Sequence, residues 1–186
     1  RRRCATTPRL PLAATAQRAK NVASQPGPVA PVVATEFDQL HFRSIGPANM
    51  MGRATDVEGV PGDPNIVYVG TASGGVWKTT NGGTTWKALF DSQPTLSIGD
   101  LALEPGNPEV IYVGTGEANV RNSVSFGRGM YKSTDGGASW RFIGLGDTRH
   151  IARVIVDPRD VRTVFVCAVG HIGAPSAERG VFVTRD

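Results

Sequence analysis

Seven side chains in this sequence have the chemistry to hold a ligand: Arg53, Glu117, Asn119, Arg121, Arg149, His150 and His171. Guanidinium groups grip carboxylates or neighbouring oxygens with two prongs. Glu and Asn accept hydrogen bonds from hydroxyls and amides, and imidazole titrates near neutral pH. Such a set suits recognition of a peptide or a glycan. Other chemistry finds no foothold. The three histidines (His41, His150, His171) lack metal-ligand spacing. Cys4 and Cys167 cannot build a disulfide framework, and Cys167 reads as a small apolar residue within a strand. There is no phosphate loop, dinucleotide fingerprint, EF-hand loop or nucleophile elbow. Neither a metal nor a cofactor is expected.

The elements that must position these residues are read from an internal repeat. Val76–Phe90 (VWKTTNGGTTWKALF) matches Met130–Gly144 (MYKSTDGGASWRFIG), and a third copy opens at Val181–Asp186 (VFVTRD). Asn81, Asp135 and Asp186 mark the period, at spacings of 54 and 51 residues. A second module recurs in step as DPNIVYVGT, NPEVIYVGT and DPRDVRTVFVCA, each preceded by a third: GRATDVEGV, IGDLALEP and IARVIVDP. Each unit therefore predicts four short strands. The second is β-branched on successive positions and suits burial on both faces. The third and fourth are joined by Asn-Gly-Gly or Asp-Gly-Gly, a strong hairpin signal. Gly makes up 23 of 186 residues, about 12% against a usual 7%, which fits frequent turns and weighs against a helical bundle.

Four-stranded units of this period predict an all-β chain, an incomplete β-propeller with about two and a half to three blades over residues 36–186. The remaining blades are expected on the same polypeptide. Residues 1–35 hold six basic residues, no acid and closely spaced prolines, and read as a disordered basic tail. That leaves 14 basic against 16 acidic residues, so the net charge of +4 and the pI of 9.4 belong to the tail and no nucleic-acid partner is expected. No run of about 18 apolar residues occurs, and no membrane span is expected.

The turn sequence has a structural explanation. Asn81 and Asp135 close the turn through backbone N–H groups, Gly83 and Gly137 take positive φ, and Trp86 and Trp140 bury area against a neighbouring strand. Asn81 cannot act as a base or nucleophile, so the position caps a turn rather than performing catalysis. With the hairpin turns on one face, the long second-to-third-strand loops, Gly114–Gly129 and Val169–Gly180, fall on the other with Arg53, Arg149 and His150. Long loops on a rigid scaffold carry function. Each candidate also has a plain alternative: Arg53, Arg149 and Arg153 could pair with acids such as Asp100 or Asp147.

The stretches Thr79–Trp86 and Ser133–Trp140 resemble the Asp-box, or BNR repeat. From about Phe42 to Asp186 the chain resembles bacterial Asp-box propeller proteins of the group that shares its propeller with the N-terminal domain of sortilin. The resemblance rests on FRSIGP, VGTASGGVWKTTNGGTTW, SIGDLALEP, YVGTGEANVRNS and GMYKSTDGGASW. It implies export to the periplasm or cell surface, and members are often labelled glycosyl hydrolases. A sialidase arginine would correspond to Arg43, but two extra residues separate Phe42-Arg43 from the sialidase spacing. A xyloglucanase-type acid would correspond to Ala72 in Thr71–Gly75, and alanine transfers no proton. Three readings follow: an extracytoplasmic propeller binding peptide or glycan on its loop face, a glycoside hydrolase whose acids lie in other blades, or a scaffold for a surface complex.

Overall fold

The computed structural model describes residues 53–185. The tail over residues 1–35, Cys4, His41 and Arg43 lie outside the described residues. Among the described residues eleven strands form three antiparallel sheets, and within each sheet every strand pairs with its neighbour in sequence. Sheet one is β1 (Ala54–Val60), β2 (Asp63–Thr71), β3 (Val76–Thr79) and β4 (Lys87–Ala88). Sheet two is β5 (Ile98–Glu104), β6 (Asn107–Thr115), β7 (Met130–Ser133) and β8 (Arg141–Gly144). Sheet three is β9 (Ile151–Val156), β10 (Thr163–Ala168) and β11 (Gly180–Arg185).

The sequence predicts fourth strands over TWKALF and SWRFIG, and the structure shortens both, to Lys87–Ala88 and Arg141–Gly144. Trp86 and Trp140 lie ahead of the ladder, which starts at Lys87 in one unit and Arg141 in the other. The cause is local. Thr85 N and Ser139 N donate 2.8 Å bonds to Asn81 Oδ1 and Asp135 Oδ1, so these amides serve the turn rather than a strand partner. Gly82, Gly83, Gly136 and Gly137 all take positive φ, from 63° to 91°, a region closed to most side chains.

The core lies between sheets rather than within them. Tyr68, Val76 and Phe90 of the first unit interlock with Ile98, Leu101, Ile111, Val113 and Tyr131 of the second. Ala102, Tyr112 and Met130 of the second meet Ile151, Val154, Val164 and Val166 of the third. β6 is buried on both faces because sheet two is sandwiched. Two glycines permit the approach. A Cβ on Gly114 would fall 2.5 Å from Ile151 Cγ2, and one on Gly99 would fall 1.9 Å from the Ile151 carbonyl oxygen.

A polar bond links successive units in register. Asp56 Oδ2 accepts from Leu101 N at 2.9 Å, and Asp100 Oδ2 accepts from Val154 N at 2.7 Å. Asp56, Asp100 and Arg153 share one place in the three first strands, and Arg153 pairs back to Asp100 at 3.3 Å. Asp100 is buried, and burial, with Asp56 and Glu58 adding like charge, pushes its carboxyl up to about 6 against the pull of the Val154 N–H and Arg153. On the far side of sheet three, Ile155, Phe165 and Val183 stand in a row across β9, β10 and β11, all exposed. Their counterparts Ala102 and Tyr112 in sheet two are covered by the third unit. Cys167 is half-buried and has no cysteine partner among the described residues.

Candidate functional site on the loop face

Each first strand is led in by a residue whose carbonyl closes the loop face of its own unit. Arg53 O, Ser97 O and His150 O accept from Ala72 N, Gly116 N and Val169 N at 3.0, 2.7 and 2.8 Å. All three leading residues also reach Glu117. Arg53 donates to Glu117 Oε1, with Nε at 2.7 Å, Ser97 Oγ accepts from Glu117 N at 3.0 Å, and His150 Nδ1 donates to Glu117 O at 2.8 Å. Glu117 is only 1% exposed, so its carboxylate faces protein rather than solvent. The carbonyl partner fixes the His150 proton on Nδ1. Burial, joined by nearby Arg149 and His171, holds His150 below the usual imidazole range, which keeps it neutral at pH 7.

Above this buried knot the segment Ser125–Gly127 is fastened from both sides. Thr95 Oγ1 donates to Phe126 O and Ser97 Oγ to Ser125 O, both at 3.0 Å. Gly127 N donates to Arg149 O at 2.7 Å. A Cβ on Gly127 would lie 2.2 Å from the Thr115 backbone, so no other residue lets the strap lie this flat. Phe126 is thereby held 60% exposed. The Arg149 guanidinium sits 4.7 Å above the ring centroid, a cation–π stack.

This pair forms one wall of an open cleft of about 840 Å³. Arg128 stands on the same wall, while Asp147, His171 and Glu178 line the cleft from the link and loop of the third unit. The Ser176 hydroxyl bonds Glu178 at 2.8 Å and holds its carboxyl low, so Glu178 is ionised and a poor proton donor. Arg179 is turned inward on its own loop, donating to the Val169, His171 and Ala174 carbonyls at 2.7–3.1 Å.

The sequence candidates thus divide into three groups. Arg53, Glu117 and His150 converge below the surface. Arg149 and His171 line the cleft. Asn119 and Arg121 are exposed on the same loop. Phe126 was not among the candidates, although an aromatic residue within a Ser- and Gly-rich loop was the available signal. Asn81, Gly83, Asp135 and Gly137 lie in the hairpin turns, with Trp86 and Trp140 beside them, at the opposite ends of the strands. Among the described residues, no group of three or more His, Cys, Asp or Glu gathers as a metal site. Nor is any helix there long and apolar enough to cross a membrane.

No protein-family model matches the chain, and no curated protein matches it. Solved structures do. An ancestral GH74 enzyme is 24% identical with a TM-score of 0.56, over 72% of this chain and 17% of that one. The GH74 enzyme of Niastella koreensis is 24% identical with a TM-score of 0.50, over 66% of this chain and 18% of that one. YCF48 from Cyanidioschyzon merolae is 18% identical with a TM-score of 0.47, over 75% and 38%. The chain thus spans less than a fifth of the length of either GH74 enzyme. The two GH74 likenesses show the fold: an all-β, incomplete β-propeller whose three sheets are blades.

Proposed function

We propose that this chain supplies the ligand-binding loop face of an Asp-box propeller and takes a glycan in the cleft between its second and third blades. The observation that carries the reading is the Phe126–Arg149 stack. An apolar ring is kept largely in solvent by hydrogen bonds on both sides, where burial would be the default for an apolar side chain. Such a ring offers a platform for the C–H face of a sugar, and Arg128, Arg149, Asp147 and Glu178 offer paired donors and acceptors to hydroxyls at its rim. The similar fold of GH74 enzymes supports a carbohydrate ligand over a peptide. Residues 1–35 would serve as a basic, proline-rich tether, and the remaining blades would come from the same polypeptide. The family resemblance supports an extracytoplasmic setting.

Binding is favoured over hydrolysis for a specific reason. Where the resemblance would put a xyloglucanase acid stands Ala72, buried and bonded through its backbone to Arg53. It has no proton to transfer. Titration of the chain with a panel of cell-wall oligosaccharides, followed by calorimetry, tests the reading. The expected result is saturable binding that falls at least tenfold in Phe126→Ala and Arg149→Ala, with melting temperatures unchanged. Absence of binding at millimolar sugar, or equal binding by both variants, would overturn it.

A further inference from the structure

The sequence holds a single asparagine directly followed by glycine, Asn81-Gly82, in the first hairpin turn. In such a pair no side chain hinders the glycine nitrogen, which can attack the asparagine side-chain carbon. A bond forms from Gly82 N to Asn81 Cγ, the Cγ–Nδ2 bond breaks, and the proton of Gly82 N leaves with the amide as ammonia. Water then opens the five-membered imide at one of its two carbonyls. One opening gives aspartate, and the other gives isoaspartate, with the main chain rerouted through the side-chain carbons. The turn keeps the glycine in place, because Gly82 sits at a φ of 63°.

The fold primes one reactant and withholds the other. Asn81 Oδ1 accepts from Thr85 N at 2.8 Å and from Thr79 Oγ1 at 3.0 Å. Two donors on a carbonyl oxygen stabilise the negative charge that attack on its carbon develops. Gly82 N, however, donates to Asn65 O at 3.0 Å, so attack waits on the opening of this bond. Asn65 is itself tethered, its N and Nδ2 donating to Asp63 Oδ1 at 3.0 and 3.1 Å. The product has a seat already built in the second turn. There Asp135 Oδ1 accepts from Ser139 N and Ser133 Oγ, and Oδ2 accepts from Ser139 Oγ. In the first turn Thr85 Oγ1 instead accepts from Asn81 Nδ2 at 2.8 Å, and a hydroxyl can rotate to donate to an oxygen in that place.

We propose that Asn81 is a latent deamidation site, triggered by release of the Gly82–Asn65 hydrogen bond and converting the first turn to the aspartate form of the second. Each opening of the turn gives the amide one chance to react, so the aspartate that accumulates records how often and how long the turn has been open. Isoaspartate lengthens the main chain of the hairpin and is disfavoured wherever the turn re-forms around the imide. The site is independent of the cleft and its ligand.

The test incubates the full chain and a free peptide of residues 76–90 at mildly alkaline pH, below the melting temperature, and follows by mass spectrometry the gain of one mass unit in the tryptic fragment 79–87. The chain is expected to react about tenfold more slowly than the peptide, or slower still, and to yield a larger share of aspartate over isoaspartate. Asp63→Ala, which frees Asn65, is expected to speed the reaction several-fold, and Asp63→Asn, which keeps an acceptor, to restore the parent rate. Asn81→Asp is expected to melt with the parent. Equal rates in chain and peptide would overturn the proposal, as would an Asp63→Ala rate equal to the parent's or unfolding of Asn81→Asp. Should Asp63→Ala itself unfold, the parent decides: in mild urea its deamidation is expected to rise in proportion to exchange of the Gly82 amide, and independence of the two would overturn the proposal.

Discussion

Arg53 and Glu117 lie 64 residues apart and meet as an ion pair in which the carboxylate is buried and the guanidinium about one-third exposed. The pair joins the lead-in of blade one to the ligand loop of blade two. Removing one partner is costlier than removing both, because a lone buried carboxylate keeps its desolvation cost. Arg53→Met is expected to cost about 1–3 kcal/mol, reduced from the fully buried case by the exposure of Arg53. Arg53→Met with Glu117→Gln should recover most of that. A double-mutant cycle by urea denaturation checks it, and additive losses would contradict the coupling.

Asp100 sets a pH dependence whose sign follows from its raised pKa of about 6. The fold holds this proton more tightly than the unfolded chain does. Its contribution is therefore fully present below pH 4 and is lost as pH rises through about 6. The rise to about 6 corresponds to about 3 kcal/mol. Asp100→Asn keeps an acceptor for the Val154 N–H and should flatten this part of the stability profile between pH 4 and 6. Thermal melts across that range would show an unchanged slope if the carboxylate were not responsible.

The two hairpin turns use side chains of the same shape, a carboxylate in one and its amide in the other. Asp135 takes Ser139 N, Ser139 Oγ and Ser133 Oγ, and these bonds hold its carboxyl down at about 2. Asn81 takes Thr85 N and Thr79 Oγ1, while its Nδ2 donates to Thr85 Oγ1. Asp135→Asn should therefore change stability little at pH 7. Because the contribution of a depressed pKa is complete above the unfolded value and is lost as pH falls towards the folded one, the variant should also lose less stability than the parent as pH falls from 4 to 2. Unfolding at neutral pH would show that the turn needs charge.

Trp140→Ala removes the edge-to-face contact with Phe90 and the bond to Leu89 O. The ring is half-buried, so a loss of about 2–3 kcal/mol is expected, below the range for a fully buried aromatic. Denaturant midpoints measure it, and a near-neutral result would remove the tryptophan from the interblade core.

Gly99→Ala should be worse than its size suggests, at about 3 kcal/mol. The new methyl would meet the backbone oxygen of Ile151, which cannot rotate away. Circular dichroism melts check this, and a stability equal to the parent would mean that blades two and three can slide apart at no cost.

What could be read from sequence was whatever repeats locally. The Asn-Gly-Gly and Asp-Gly-Gly turns, the β-branched second strands and the loop face all follow from residues within a few positions of one another. The fourth strands came out shorter because Thr85 and Ser139 give their amides to the turn, a competition that hydrophobic alternation does not display. The Arg53–Glu117 pair was hidden because nothing local ties two residues across a blade boundary. Asp56 and Asp100 occupied one column of the repeat, yet their bonds run between blades, where a column is silent. Phe126 fits no repeat column, since the loop that carries it differs in length and sequence from its counterparts in the other blades.

The carboxylates of Asp56 and Asp100 both point forward, each to an amide of the blade that follows in the chain. During synthesis the earlier blade leaves the ribosome first, with its acceptor already in place for the next strand to emerge. Growth of the ring is thereby given a direction. The second and third wedges are each received by the one made before, and the handover changes at Arg153, which reaches back instead of forward.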